Sequence, residues 1–324
     1  MDHLPPPELA SDFLAAPSTL LSVEKLLARD AMEGGFVFIG PEAQGKATLA
    51  FMLAATLLSG GRHLGESDDK VRSLIASGAH PDLHVLRRTE NEKTGKLRDE
   101  IDVTSARKVI EGLHKTSISG RMVVIVDLAD ELRREAANSL LKILEEPPKG
   151  TALFLLSRST SRLLPTLTSR CRRLVLSPVA EAPLSAWLQT KTELAPDEAA
   201  QYASVSGGAP GRALRLALGE GDEAMAIAES WLRAVHGKGD LLTVSRKFVG
   251  KAAEGTREEA TSLIIARLRK GLLADDLERE IMAQRLAAYE AAQQTFGAQG
   301  TADPAQTAYM AGLAVRDALR GRAA

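Results

Sequence analysis

The sequence predicts an α/β fold in its first half and helices alone in its second half. Apolar runs such as FVFI (36–39), MVVIVD (122–127) and TALFLLS (151–157) alternate with helical patterns. Runs that are apolar throughout favour strands buried on both faces, as in a parallel sheet. Strands that alternate with helices imply right-handed βαβ units, with helices covering both faces of the sheet. From about residue 223 onward the pattern is helical only.

Two more segments complete the predicted sheet, DLHVL (82–86) and RRLVLSPV (172–179). The stretch KATLAFMLAATLL (46–58) predicts a core helix, and Asp102 is a candidate N-cap for another. A further helix carries a leucine stripe and stops at Pro147-Pro148. The charged segment 87–100 reads as a solvated loop or hairpin.

The residue pattern of the second half changes after Pro178 and again near residue 223. Short helices surround the glycine-rich link SGGAPGRA (206–213), and Asp303 with Pro304 predicts the start of a late helix. We therefore predict three domains: an α/β domain over 1–177, a small helical domain over 178–222 and a helical domain over 223–324.

Composition limits the possible functions. The 324 residues carry a formal net charge of −1 and are 4% aromatic, so we expect neither strong independent DNA binding nor aromatic platforms that stack bases. A local basic patch remains compatible with DNA contact. The single cysteine, Cys171, excludes an internal disulfide and a multi-cysteine zinc site and fits a reducing compartment. No secretory signal or membrane-spanning run is evident, so we expect a soluble cytoplasmic protein without a membrane partner.

The segment GPEAQGKATLA follows a predicted strand and opens a helix. Gly40, Gly45 and Lys46 have the spacing of a phosphate-binding loop, in which backbone N–H groups and the lysine hold phosphates. The next position normally carries the hydroxyl that binds magnesium, and here it is Ala47. Thr48 comes one residue late, which is a rotation of about 100° on a helix, so we expect its hydroxyl to point away from the metal.

The strand ending VVIVDLADEL gives a second acidic element. Asp127 stands where a carboxylate orients the metal in nucleotide hydrolases. The glutamate that polarises water usually follows it, but here the residue is Leu128. We expect Asp130 and Glu131 to be solvated or to cap the next helix. The two losses together predict a domain that no longer hydrolyses ATP.

Two further motifs carry charge at unusual places. Glu145 and Glu146 end a helix, where the helix dipole disfavours negative charge, which favours a functional or interface role. Arg170, flanked by Ser169 and Cys171, precedes a predicted strand. Its guanidinium could pair with a carboxylate of its own chain or reach a phosphate on a neighbouring subunit; the sequence position leaves these two alternatives open.

Six segments, in order across roughly residues 20–215, carry a family resemblance: GPEAQGKATLA, AHPDL, VVIVDLADEL, NSLLKILEEPP, LLPTLTSRC and SGGAPGRALRLA. Together they resemble the delta-prime subunits of bacterial DNA polymerase III clamp loaders, a branch of the AAA+ superfamily. The combination of SLLK-x-LEEPP with S-R-C is highly specific, whereas the glycine loop alone is not. The C-terminal third matches only in length and helical texture.

The resemblance implies a RecA-like AAA+ domain, a helical lid and a helical collar that joins a circular pentamer. It also implies that Arg170 completes the ATP site of an adjacent ATPase subunit and that Arg212 is the lid arginine that senses nucleotide. The implied partners are the gamma/tau ATPase subunits, the delta subunit, the sliding clamp and, through the complex, primed DNA. No cofactor is required, although ATP or ADP could occupy the degenerate loop formed by Gly40, Gly45, Lys46, Thr48 and Asp127.

This chain departs from the family pattern in two places. Members often carry a four-cysteine zinc module before the His-Pro-Asp segment, and this chain has no cysteine there. His63, His80 and His84 cannot replace a four-ligand site at their spacing, so we predict no zinc and no other metal. The loop after TALFLLS is about one residue shorter than usual, which leaves the nucleotide-sensing residue open between Ser157 and Ser159.

Two alternatives to a non-hydrolysing clamp-loader subunit are an active ATPase and an unrelated phosphate-loop protein. An active ATPase, such as the motor subunit of the same loader, should keep the hydroxyl after Lys46 and the acidic pair at 127–128. An unrelated phosphate-loop protein, such as a kinase or a bacterial regulator, would have no reason to carry LEEPP and SRC in order. The sequence therefore favours the non-hydrolysing subunit.

Overall fold

The structure, a computed structural model, describes residues 6–89, 95, 98, 100–113, 116–219, 221–248, 254–272, 279–297 and 303–321. Its internal contacts divide the chain into two compact units. The first comprises Met1–Ala180 together with Ala209–Arg212, and the second comprises Glu181–Gly208 and Ala213–Ala324.

The first unit is built on a five-stranded sheet in which every neighbouring pair is parallel. The strand order is β2-β3-β4-β1-β5. Thus the first strand along the chain lies between the last two, and β5 forms one edge. The strands are β1 Gly34–Ile39, β2 Leu83–Leu86, β3 Met122–Val126, β4 Thr151–Ser157 and β5 Cys171–Val175.

Helices cover both faces of this sheet, as the buried strand pattern predicts. Phe36, Phe38 and Phe154 pack on one face beneath α1, α2 and α3, and a second core of aliphatic side chains lies on the other face beneath α4, α5 and α6. The helices are α1 Pro17–Ala28, α2 Lys46–Leu58, α3 Asp69–Ala76, α4 Val103–Gly112, α5 Arg134–Glu145 and α6 Pro165–Thr168.

Most predicted elements agree with these bounds. The helix over 46–58 and the strand over 151–157 are confirmed, and the Asp102 carboxylate accepts the Ser105 N–H at 2.8 Å as an N-cap. The last predicted strand is too long, because β5 ends at Val175. The predicted loop over 87–100 lies mostly outside the described residues.

The second unit contains helices and no strand among its described residues. Trp231 is fully buried at its centre, and its indole N–H donates to the Ala308 carbonyl at 2.9 Å. The predicted cap is confirmed, since the Asp303 carboxylate accepts the Ala305 N–H at 2.7 Å. The helices are α7 Glu181–Lys191, α8 Pro196–Val205, α9 Pro210–Ala217 (whose first residues belong to the first unit), α10 Asp222–Val235, α11 Leu241–Ser245, α12 Glu254–Leu272, α13 Arg279–Gly297 and α14 Pro304–Leu319.

No helix in the described parts of the chain is both long and apolar enough to cross a bilayer.

Candidate functional site

The phosphate loop connects β1 to α2. Gly45 is the N-cap of α2 and has a φ of +86°, the left-handed conformation that glycine adopts without steric cost. A β-carbon at Gly45 would also lie only 2.8 Å from the Phe13 ring. The glycine is therefore required both by the turn and by the aromatic ring packed against it.

Lys46 lies inside this loop. Its Nζ donates to the carbonyls of Gly40 and Pro41, at 2.7 Å each, and the residue is only 9% exposed. Burial lowers the pKa of Lys46 to about 8, while the nearby carboxylates of Asp130 and Glu42 oppose the shift. The side chain thus keeps most of its charge at pH 7, and the loop presents a fixed cation beside the N-terminus of a helix, an arrangement suited to phosphate.

Ala47 supplies no metal ligand. Its methyl group packs against the core formed by α2 and the sheet. Thr48 follows on the first turn of α2 and is half-buried. The first turn of α2 therefore has an apolar side chain at the position where a magnesium-dependent nucleotide hydrolase has a hydroxyl.

The carboxyl end of β3 carries Asp127. Burial raises the pKa of Asp127, and the positive charges of Arg87 and Lys46 partly offset that rise. Leu128, the next residue, has φ 58° and ψ 58°, a conformation that costs a residue with a β-carbon about 1–2 kcal/mol. Because Asp127 lies at the carboxyl end of β3, its carboxylate could orient a cation. Leu128 provides no carboxylate to activate water.

The expectation that Asp130 and Glu131 are solvated or cap the next helix is wrong. Asp130 accepts the Ser157 hydroxyl and the Arg158 backbone N–H, the latter at 2.9 Å. Glu131 pairs with Arg88 at 3.0 Å. The short turn Ala129–Glu131 runs beside the end of β4 before α5 begins at Arg134, so both carboxylates bind groups of the sheet end.

The two candidate sensing serines differ in position. Ser157 is fully buried at the end of β4, and its Oγ contacts both Asp130 and the Ser159 carbonyl. Ser159 instead accepts the Ser161 N–H at 3.2 Å and caps the following turn. Ser157 is thus the serine that the structure links to Asp130, whose charge acts on Lys46.

The start of α9 belongs to the same compact unit as the phosphate loop. The Gly211 N–H donates to the Ala43 carbonyl at 2.9 Å, and a β-carbon at Gly211 would come within 3.0 Å of that oxygen. Arg212 follows directly and is 4% exposed. The structure therefore brings the segment of the predicted nucleotide-sensing arginine to the phosphate loop.

Arg170 lies away from its own phosphate loop, just before the edge strand. Its Nε and Nη2 both donate to Glu145 Oε1, at 2.9 and 2.5 Å, and Nη1 donates to the Thr166 carbonyl at 2.9 Å. The LEEPP and SRC motifs are thus joined by an ion pair, of which Glu145 is the carboxylate. In this chain alone, the arginine adopts the first of its two predicted alternatives.

Cys171 begins β5 and is partly buried. Burial raises the pKa of its thiol to about 11, so the thiol is a poor nucleophile at pH 7. Among the described residues, no cluster of three or more His, Cys, Asp or Glu side chains is arranged to hold a metal ion.

Asp82 has a structural role that the sequence pattern did not indicate. Its side chain is 2% exposed and accepts the N–H groups of Ile118 at 3.1 Å and Ser119 at 2.8 Å, which fastens the loop before β3 to the start of β2. The only sequence signal was the position of Asp82 in the AHPDL segment.

The fold and the site define a phosphate-loop α/β protein with a helical C-terminal part. The family model described as "DNA polymerase III, delta subunit" matches residues 16–180, half of the chain. The chain belongs to this family.

Individual relatives agree with the family match. DNA polymerase III subunit delta' of Pseudomonas aeruginosa is 38% identical over 188 residues, covering 56% of this chain and 55% of the relative. The subunit delta' of Escherichia coli is 38% identical over 148 residues, or 45% and 42% of the two chains. The matches thus span about half the length of these relatives. A solved RuvB branch migration motor from Thermotoga maritima aligns over 91% of this chain and 87% of its own, with 16% identity and a TM-score of 0.45.

Proposed function

We propose that this protein is the non-hydrolysing delta-prime subunit of a clamp loader, which places the sliding clamp on primed DNA. One observation carries the proposal: the loop keeps its glycines and Lys46, whereas the hydroxyl at 47 and the carboxylate at 128 are gone and Arg170 is kept. A protein that loses its own catalytic groups but keeps an exposed arginine in the SRC motif fits a subunit that serves a neighbouring site. The family membership supports the same role.

The proposed role requires no nucleotide on this chain. The loop backbone and Lys46 fit a phosphate group, so ATP or ADP could be held there. Ala47 does not fit magnesium, because it offers no oxygen. The structural contribution of the loop is then to anchor Gly211 and the neighbouring Arg212 through the Ala43 carbonyl.

We expect the isolated protein not to turn over ATP, because both the metal ligand and the water-activating carboxylate are missing. Substituting Ala47→Ser should not create activity, since position 128 still lacks its carboxylate. Phosphate release from purified protein measures this, with the Lys46→Ala variant as control. Magnesium-dependent hydrolysis by the wild-type chain that Lys46→Ala abolishes would favour the active-ATPase alternative.

The proposed partners are the gamma/tau and delta subunits, the sliding clamp and primed DNA. The proposal keeps the division into a lid over 178–222 and a collar over 223–324 that joins the partners. Several large apolar side chains of the collar helices are exposed: Ile281, Met282 and Leu286 on α13 and Met310 on α14. Exposed apolar side chains of this kind commonly mark a protein interface.

We expect the double substitution Met282→Glu/Leu286→Glu to weaken association with the partner subunits at least tenfold, because it buries two charges in an apolar interface. The two residues lie one helical turn apart on α13 and are 37% and 45% exposed, so the fold itself should tolerate the change. Gel filtration of mixed subunits measures association. Ile118→Glu, at an 81% exposed side chain of the first unit, is the control; equal co-elution of the α13 variant and the control would contradict the collar assignment.

A further inference from the structure

A basic groove runs along the free edge of the sheet, between α1 and β5. It is lined by Lys25 of α1, by Arg29 directly after that helix and by Arg172 and Arg173 of β5, together with Ser18, Ser22 and Ser177. Among the residues that the structure describes, no aspartate or glutamate lines this basic groove. The groove lies within the first unit, and neither the phosphate loop (40–46) nor the Arg170–Glu145 pair contributes a residue to its lining.

Three of the four cations are available to a ligand. Lys25, Arg29 and Arg173 are exposed and take part in no ion pair among the described residues. Arg172 is held differently, because its guanidinium lies 4.2 Å from the centre of the Phe36 ring and donates to the Glu33 carbonyl. Arg172 therefore forms a fixed part of the wall, and the other three present mobile charges.

The carboxylates nearest along the chain are all engaged elsewhere. Glu24 accepts the Leu64 N–H at 3.0 Å, Asp30 pairs with Arg121, and Glu33 accepts the Gly150 N–H at 3.1 Å. None of these three residues lines the groove. The local field in the groove is thus positive even though the whole chain has a net charge of −1.

The edge strand adds backbone donors. The Leu176 N–H donates to Ile39 of β1, and because backbone directions alternate along a strand, the N–H groups of Arg173 and Val175 point to the free edge. The Val175 carbonyl already accepts the Thr19 hydroxyl at 3.3 Å. The edge therefore offers N–H donors to a ligand, while one of its few acceptors is occupied.

These features favour an anionic backbone over an added peptide strand. Charged side chains on an edge strand oppose pairing with another strand, and a strand partner also needs free carbonyl acceptors. Arginine, lysine, serine hydroxyls and backbone N–H groups are the usual contacts to nucleic-acid phosphates. In the part of the chain that the structure describes, no aromatic side chain lines the groove, so these residues offer no ring to stack on bases.

We propose that the basic groove binds the phosphate backbone of DNA without sequence preference, as a contact made by this chain itself. The choice of DNA among polyanions rests on the proposed function, whereas the binding itself can be measured on the isolated chain. With only three mobile cations the contact is weak, so it adds to binding by a larger assembly.

Fluorescence anisotropy of a labelled duplex of about 20 base pairs, titrated with the full chain between about 20 and 200 mM NaCl, tests the proposal. Each phosphate contact contributes about −0.9 to the slope of log K against log salt. The triple variant Lys25→Gln/Arg29→Gln/Arg173→Gln should therefore reduce the slope by about 2.7. The control Arg62→Gln/Lys70→Gln/Lys149→Gln changes the net charge equally at exposed sites outside the groove and should keep the wild-type slope.

Three results would overturn the proposal. Equal losses in the two triple variants would show that binding follows net charge alone. Competition by polyglutamate as effective as that by DNA of equal charge would identify an acidic protein as the ligand. Absence of DNA binding by the wild-type chain at about 20 mM salt, where electrostatic contacts are strongest, would remove the site. Each result concerns the groove alone, whereas the proposed function is tested separately by phosphate release and by gel filtration with the partner subunits.

Discussion

Complexes reconstituted with the Arg170→Ala protein should assemble normally but hydrolyse ATP about 10³-fold more slowly at the one site that Arg170 serves. In the proposed loader, the guanidinium stabilises charge that develops on the γ-phosphate of the neighbouring subunit. Folding should be preserved, because an exposed ion pair such as Arg170–Glu145 contributes only about 0–1 kcal/mol. Rapid-quench measurement of ATP hydrolysed per complex, together with the rate of clamp loading on primed DNA, shows the effect.

Arg170→Lys should restore little of this activity, because a lysine provides a point charge without the planar fork. Glu145→Gln provides the opposite test. The Nε and Nη2 groups of Arg170 both donate to Glu145. A phosphate would bind the same two donors, so Glu145 competes with it. Weakening that acceptor should leave clamp loading at least as fast as in the wild type, with Glu146→Gln as the matched neighbour.

Two outcomes would contradict this account. Equal loading by wild type and Arg170→Ala at saturating ATP would leave Arg170 as a structural partner of Glu145. Slower loading by Glu145→Gln than by Glu146→Gln would mean that the carboxylate orients the arginine for its task instead of competing for it.

Asp82→Ala should lower the free energy of unfolding by about 2–4 kcal/mol. Its buried carboxylate accepts two backbone N–H groups of the loop before β3, hydrogen bonds to a charged group contribute about 1.5–3 kcal/mol each, and the donors left behind lose their partner. Urea denaturation of the full chain measures the change. Asp69→Asn is the control, because that carboxylate is 92% exposed and should matter little. An Asp82→Ala midpoint equal to that of the control would exclude the anchoring role.

The contribution of Asp82 should also depend on pH. The hydrogen bonds from Ser119 and Ile118 hold the pKa of Asp82 below its ordinary value, although burial alone would raise it. A carboxyl group whose native pKa is depressed contributes its stability above the unfolded pKa, near 3.9, and loses it as the pH falls through the native pKa. The difference between wild type and Asp82→Asn should therefore be constant above about pH 5 and shrink in acid.

The sequence was a good guide to the fold because its signals are local. The apolar run at 151–157 and the loop-to-helix transition at 46 depend on neighbouring residues, and both agree with the structure. The strand order could not be obtained this way, since no local pattern places β1 between β4 and β5. The last strand was predicted too long for a similar reason. Leu176 and Val179 are buried although they lie beyond β5, so the apolar pattern continues past the residues that pair in the sheet.

The sequence identified residues of the candidate site, but it did not show which of them contact one another. Gly45 and Lys46 were found from their spacing, and the hydrogen bonds of Lys46 to the loop carbonyls follow from the turn they form. The contacts of Glu145 with Arg170 and of Asp130 with Ser157 join residues more than 20 positions apart. Such pairs depend on how α5 and β4 pack, which the charge pattern does not encode.

The central place of β1 has a consequence for the protein while it is being made. Residues 34–39 leave the ribosome long before their two neighbours, residues 151–157 and 171–175. At the usual synthesis rate of about 5–20 residues per second, the apolar strand waits roughly 7 to 27 s for both partners. The first helices that can cover it are α1, made just before it, and α2, made just after it; both pack in the same core as Phe36 and Phe38. We therefore expect this chain to need a chaperone while its first half is being synthesised, before β4 and β5 can pair with β1.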